Sequence, residues 1–151
     1  MKSTKITKIN PKYYSGLNKN DIDLQKKYIR KSQKESAKGV YKLRPTPKSY
    51  KHKPSRHIVE FGRVYGVPIK NSKRISIQTG VSASKQRRIL SKGKGAYFSS
   101  GSRPGQTPSS WAFARLASSL LGRGACKVDQ HILSPITCSQ LRAKAKTHST
   151  N

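Results

Sequence analysis

Catalysis needs paired groups, and this chain offers few. Cys126 and His131 lie five residues apart near an expected helix end, where a thiol and an imidazole meet only loosely. A packing cysteine beside a surface histidine is the simpler reading. The acidic residues Asp21, Asp23, Glu35, Glu60 and Asp129 are scattered, and no two are placed to share acid–base work. His52 and His57 flank a proline-bearing loop and read as solvent groups. No CxxC and no HxxxH spacing offers zinc its ligands. The sequence therefore predicts no enzyme, no metal and no cofactor. Cys126 and Cys138, twelve apart, read by default as reduced thiols in an intracellular setting, with a disulfide between them left open.

What the residue types do offer is anion binding. There are 33 Lys and Arg against 5 Asp and Glu, a formal net charge of +28. Self-repulsion on that scale opposes an isolated compact state and calls for a polyanionic partner. Nucleic acid, an acidic protein surface and anionic lipid all qualify. Lipid is the weakest, because no apolar run approaches the ~20 residues of a membrane span. The candidate contacts are Lys26, Lys27, Arg30 and Lys31, then Lys85, Arg87, Arg88 and Lys92, then Lys94 and Arg103. Gly93, Gly95, Gly101 and Gly105 with the intervening serines and Arg103 predict a loop able to present backbone N–H groups. Neither GxxxxGK[ST] nor GxGxxG occurs in it, so a nucleotide fingerprint is missing.

These groups need elements to hold them. Residues 1–16 predict a basic arm, with Tyr13 and Tyr14 as an aromatic anchor. Residues 18–38 predict a helix capped by Asn18, with Leu17 and Ile22 as a hydrophobic staple and Gly39 at the C′ position. Ile22 and Ile29 share one face, Leu24 and Tyr28 pair at i,i+4, and Lys26, Lys27, Arg30, Lys31 and Lys34 form the other face. Pro45, Pro47 and Pro54 make residues 40–54 an extended linker. Ser55 then caps a helix with Ile58, Phe61, Val64 and Tyr65 on one stripe, closed by Gly66.

Residues 72–92 resemble a helix-turn-helix. A short helix runs from Lys73 to Thr79, Gly80 turns, and Ser82 caps a second helix ending before Gly93. Ile75, Val81 and Ile89 occupy apolar positions of the motif. Gln86 departs from it, standing where an aliphatic side chain usually packs on the first helix. Thr107 with Pro108 opens the most apolar helix, closed by Gly122. It carries Trp111, Phe113, Leu116, Leu120 and Leu121, while Tyr97 and Phe98 plug the loop before it. A short helix from about Ala125 to Leu133 follows, with Val128 and Ile132 on one face, and then a loose basic tail. The expected fold is mainly α: a small irregular domain of about four to five short helices with basic arms. The expected divisions are 1–54, 55–133 and 134–151.

The run from Gly93 to Leu133 resembles a small family of proteins of large DNA viruses of algae and amoebae. The residues of this chain that carry the resemblance read GAYFSSGSRPGQT, then SW, ARLAS, Gly122 and VDQHIL. The YYSGLNKND opening and Tyr65–Val67 are also similar to that family, whereas Phe98 and Gly105 depart from its Tyr and Asn. The resemblance carries no catalytic residue. It implies a particle protein made in the host cytoplasm. The first expectation is a minor capsid or cement protein, in several copies, on the inner side of an icosahedral shell. There it would touch major and other minor capsid proteins, and membrane headgroups. The alternative is a sequence-independent DNA-binding protein that packages the viral genome with the 72–92 hairpin. A third reading is an RNA binder, on the strength of its interleaved tyrosines and cations.

Overall fold

The computed structural model describes residues 8–149, which hold eight α-helices and no strand. The mainly-α expectation is met. The arm predicted over residues 1–16 falls partly outside the described residues. Its described part contains one 3₁₀ turn, Pro11–Tyr13, capped by Asn10. The chain forms two compact units. One joins the chain up to Lys53 with Lys94–Trp111, and the other joins Pro54–Gly93 with the chain from Ala112 onward. The stretch Lys94–Trp111, read from the sequence as part of the central domain, thus groups with the N-terminal residues.

In the first unit, α1 (Lys19–Ala37) starts where the Asn18 side chain accepts the Asp21 N–H at 2.9 Å. It ends in a Schellman motif: Gly39 at φ +80° donates to Ser36 O, and Val40 donates to Glu35 O. Its buried stripe is not the apolar one expected. It consists of Asp21, Gln25, Ile29 and Ser32, while Leu24 is exposed. Polar side chains on that stripe bond to backbone brought from elsewhere in the unit. Asp21 accepts the Ser49 N–H at 2.8 Å, Gln25 donates to Tyr13 O at 3.2 Å, and Ser32 donates to Phe98 O at 3.1 Å. The Ser49 hydroxyl and N–H hold the Asp21 carboxyl below the usual carboxylate range.

Arg44 ties the proline-rich stretch down. Its guanidinium lies 3.8 Å over the Tyr97 ring and donates to Tyr97 O, Ser32 Oγ and Ser102 Oγ. Its own N–H donates to the Tyr97 hydroxyl at 2.9 Å. Desolvation lowers the Arg44 pKa, and among the described residues no carboxylate is bonded to it. Gly101, at φ +134°, lies against Ile29 and Tyr13, and the Tyr13 ring meets Trp111 edge-on at 5.7 Å.

The second unit holds a hydrocarbon core. α2 (Arg56–Tyr65), capped by Ser55 and closed by Gly66 at φ +65°, contributes Phe61, Val64 and Tyr65. α3 (Ser72–Thr79) adds Ile75, the start of α4 (Ala83–Ser99) adds Ile89, and α5 (Pro108–Leu120) adds Leu116, Ala117 and Leu120. Tyr65 donates its hydroxyl to Leu120 O at 3.0 Å, and burial pushes its pKa up to about 12.

Three expectations change here. α4 does not end before Gly93 but continues to Ser99, so Tyr97 and Phe98 are helical residues rather than loop plugs. Gly93 is buried in the helix because a Cβ there would lie 2.7 Å from Ala112 Cα; α4 and α5 cross at that point, backbone against backbone. The expected helix over 125–133 breaks at Asp129 into α6 (Gly124–Val128) and α7 (Gln130–Leu133), leaving Ile132 buried but Val128 exposed. Finally, Pro135–Ser149 forms α8 where the sequence reads as a loose tail.

Cys138 and Leu141 anchor α8 in the core, and Cys138 is bonded to Cys126, with Cα atoms 5.8 Å apart. This disulfide replaces the reduced default. Closing a loop of this size restricts the unfolded chain by about 3 kcal/mol. Reductant should therefore lower the unfolding free energy by about that amount in urea melts, and an unmoved midpoint would deny the bridge a structural role.

Candidate nucleic-acid interface

The α3–α4 hairpin has the interior a helix-turn-helix requires. Ile75, Val81 and Ile89 are buried together in the second unit's core. Gly80 turns at φ +76°, and the Ser82 hydroxyl accepts the Lys85 N–H at 3.3 Å. Thr79 closes the first helix: its hydroxyl donates to Ile75 O at 2.7 Å and accepts the Val81 N–H at 3.2 Å.

Gln86 does the work of the missing aliphatic residue by another means. It is 2% exposed, and its amide donates to Ser72 O at 3.1 Å and Val81 O at 3.0 Å. One side chain thus ties α4 both to the start of α3 and to the turn. The Gln86 side chain and its bond to Val81 O are buried, where a satisfied polar group specifies geometry more sharply than a methyl does.

Gln86, Ile89 and Gly93 form the inward face of α4 at i, i+3, i+7. Lys85, Arg88 and Lys92 repeat that spacing on an exposed face, and Ser84, Arg87 and Ser91 form a second exposed row. Neither α3 nor α4 contains an acidic residue. Lys92 contacts His131 at the exposed surface. The arrangement is a rigid helix with a cationic outer face and hydroxyls beside it, suited to phosphate oxygens.

The other cations lie elsewhere. On α1, Lys27, Arg30 and Lys31 are exposed, Lys26 sits 4.4 Å over the Tyr14 ring, and Lys31 is 3.8 Å from Glu35. Lys94, on the last turns of α4, and Arg103, in the loop before α5, are exposed members of the first unit. Of the apolar candidates, Tyr97, Leu116, Leu120 and Leu121 are buried, while Phe98, Trp111 and Phe113 are half-buried.

The sequence reading missed two polar anchors, Arg44 and Asp129. Asp129 is fully buried; Arg115 grips it with both Nε (3.2 Å) and Nη2 (2.6 Å), and Ser119 donates to it at 2.8 Å. Nothing in the spacing of either residue marked it. Cys126, tied to Cys138, offers no thiol to His131. Among the described residues no three His, Cys, Asp or Glu side chains gather to hold a metal, and no helix is long and apolar enough to cross a membrane.

No curated protein and no solved structure matches the chain. The model of the family of unknown function DUF5824 matches residues 10–132, from the 3₁₀ turn through the hairpin to α7, and the chain belongs to that family.

Proposed function

We propose that the chain is a sequence-independent DNA-binding protein that lays the outer face of α4 on duplex phosphates. In the viral particle to which the resemblance points, it serves genome packaging. The observation that carries this reading is Gln86. The one departure from the helix-turn-helix pattern turns out to bond the two helices and their turn together, so the hairpin is braced rather than defective.

The shell-protein reading drew on arms, linker and glycine-serine loop ordering against neighbouring proteins. Much of that material finds partners inside the first unit: Tyr50 lies on Gly105, Arg44 on Tyr97, and Tyr13 on Gly101. One observation still favours it. Tyr41 and Leu43 are 63% and 67% exposed in an extended segment, which suits a protein neighbour better than a phosphate. Gentle release of the genome from particles separates the two readings, since a shell protein stays with the shell and a packaging protein leaves with the DNA.

The direct test is substitution at matched charge. Lys85→Gln, Arg87→Gln and Arg88→Gln together should weaken binding to a random duplex about tenfold or more at low salt and reduce the salt slope by about 3. Lys27→Gln, Lys31→Gln and Lys34→Gln on α1 remove the same charge and should cost clearly less. Equal losses from the two sets would mean that net charge, not the hairpin, binds the duplex.

A further inference from the structure

Residues 40–43 form an exposed apolar strip on the first unit. Val40 is 42%, Tyr41 63% and Leu43 67% exposed, in a stretch that is neither helix nor turn. We propose that this strip docks an acidic segment of a partner protein, laid alongside it in extended form. The strip is held to its unit at both ends. The Val40 N–H donates to Glu35 O at 2.9 Å, and the Arg44 N–H donates to the Tyr97 hydroxyl at 2.9 Å. Tyr41 meets Phe98 edge-on, with ring centroids 5.1 Å apart. Little of the strip is left to order on binding, which lowers the cost of association. Between the two anchors, Tyr41, Lys42 and Leu43 make no main-chain hydrogen bond among the described residues. Their N–H and C=O groups are open to a strand laid beside them. In that mode main-chain bonds give affinity and alternate side chains give specificity. Pro45 and Pro47 end the pairing, because they lack the N–H that a longer one needs.

Charge selects the occupant. No acid occurs in the sequence between Glu35 and Glu60. Lys38 and Lys42 flank the strip's apolar residues along the chain, and Lys51 and Lys53 follow. All four are exposed, and none is in an ion pair among the described residues. The acids that border the segment are turned to other partners: Glu35 lies 3.8 Å from Lys31, and Asp21 accepts the Ser49 N–H. A second copy of a chain with net charge +28 is repelled. A nucleic-acid strand would meet the lysines but gain nothing from the aliphatic Val40 and Leu43, since bases stack on aromatic faces. A protein segment that alternates acidic with apolar residues satisfies both features at once, because an extended chain sends successive side chains to opposite faces. The proposal rests on neither reading of the function, since such a strip would serve a genome-packaging chain as well as a shell chain.

The test is fluorescence anisotropy of the full chain at ~150 mM salt with a labelled peptide of about ten residues that alternates Glu and Val. It should bind about tenfold more tightly than an oligoglutamate of the same charge. Tyr41→Ser with Leu43→Ser should abolish that advantage and leave oligoglutamate binding unchanged. The control pair Val59→Ser with Ile77→Ser, also exposed but on the second unit, should change peptide binding less than about twofold. Methylating alternate amides of the peptide, which blocks main-chain pairing, should abolish the advantage as well. Equal binding of the two peptides, equal losses from the two pairs of substitutions, or undiminished binding of the methylated peptide would overturn the proposal. So would a thymidine oligonucleotide of equal charge that binds as tightly as the alternating peptide and loses as much with Tyr41→Ser and Leu43→Ser, since the strip would then be a nucleic-acid surface. The strip is read on peptide and the α3–α4 hairpin on duplex, so each proposal fails separately.

Discussion

Replacing Asp129 by Ala is expected to lower the folding free energy by about 3 kcal/mol, the low end for breaking a buried ion pair. The low end applies because the Arg115 side chain keeps 19% exposure and retains some water, whereas Asp129 keeps none. The loss arises less from attraction forgone than from what is left behind. Arg115 and the fully buried Ser119 would both face a cavity with no acceptor. Melting should fall by about 10 °C. Two companions isolate the cause. Asp129→Asn keeps one carbonyl acceptor and should lose less. Arg115→Leu with Asp129→Leu removes both charges and should lose less than Asp129→Ala alone. A double variant as unstable as the single one would mean that Asp129 acts through the α6–α7 break rather than through its ion pair.

Asp129 also marks the limit of what the sequence discloses. Helix boundaries were legible wherever a local rule sets them. Asn18, Ser55 and Thr107 cap, Gly39, Gly66 and Gly80 close, and each does so in the structure. Such signals act over three or four residues and need no tertiary partner. Gly93 misled for the opposite reason. An interior glycine costs a helix about 1 kcal/mol, so it reads as an end. Its value lies in the crossing with Ala112, which is nineteen residues away and invisible to a local pattern. α8 escaped because the weight of its polar and basic residues hid a Ser134–Pro135 start of the kind that was recognised at Thr107–Pro108.

The buried face of α1 was misread because apolar periodicity looks for oil. There Asp21, Gln25 and Ser32 are inside because each is hydrogen-bonded to residues of the same unit. The same blindness explains why Arg44, which the structure stacks on Tyr97, was not singled out. The candidate interface was legible in its outline, since Lys85, Arg88 and Lys92 repeat at helical spacing. Its bracing was not. Gln86 registered only as a departure, because a side-chain amide reaching backbone carbonyls has no sequence period.

Affinity for a random duplex should fall about a thousandfold between ~50 and ~200 mM salt, if α4 and its neighbours engage six or more phosphates. Each neutralised phosphate releases counterions, so log K should decline linearly with log salt at a slope near −6 or steeper. Four cations on the exposed side of α4, Lys85, Arg87, Arg88 and Lys92, supply part of that number, and no acid on α3 or α4 offsets them. Duplexes of unrelated sequence should differ little, because phosphate contacts set position and carry no base information. The profile is informative in both directions. A shallow slope with weak binding at ~50 mM would remove DNA as the partner and return the weight to the exposed Tyr41–Leu43 segment and a protein neighbour. A steep slope with strong sequence preference would instead mean that Ser84, Arg87 and Ser91 reach base edges, and the hairpin would then be a reader of sequence rather than a clamp on the backbone.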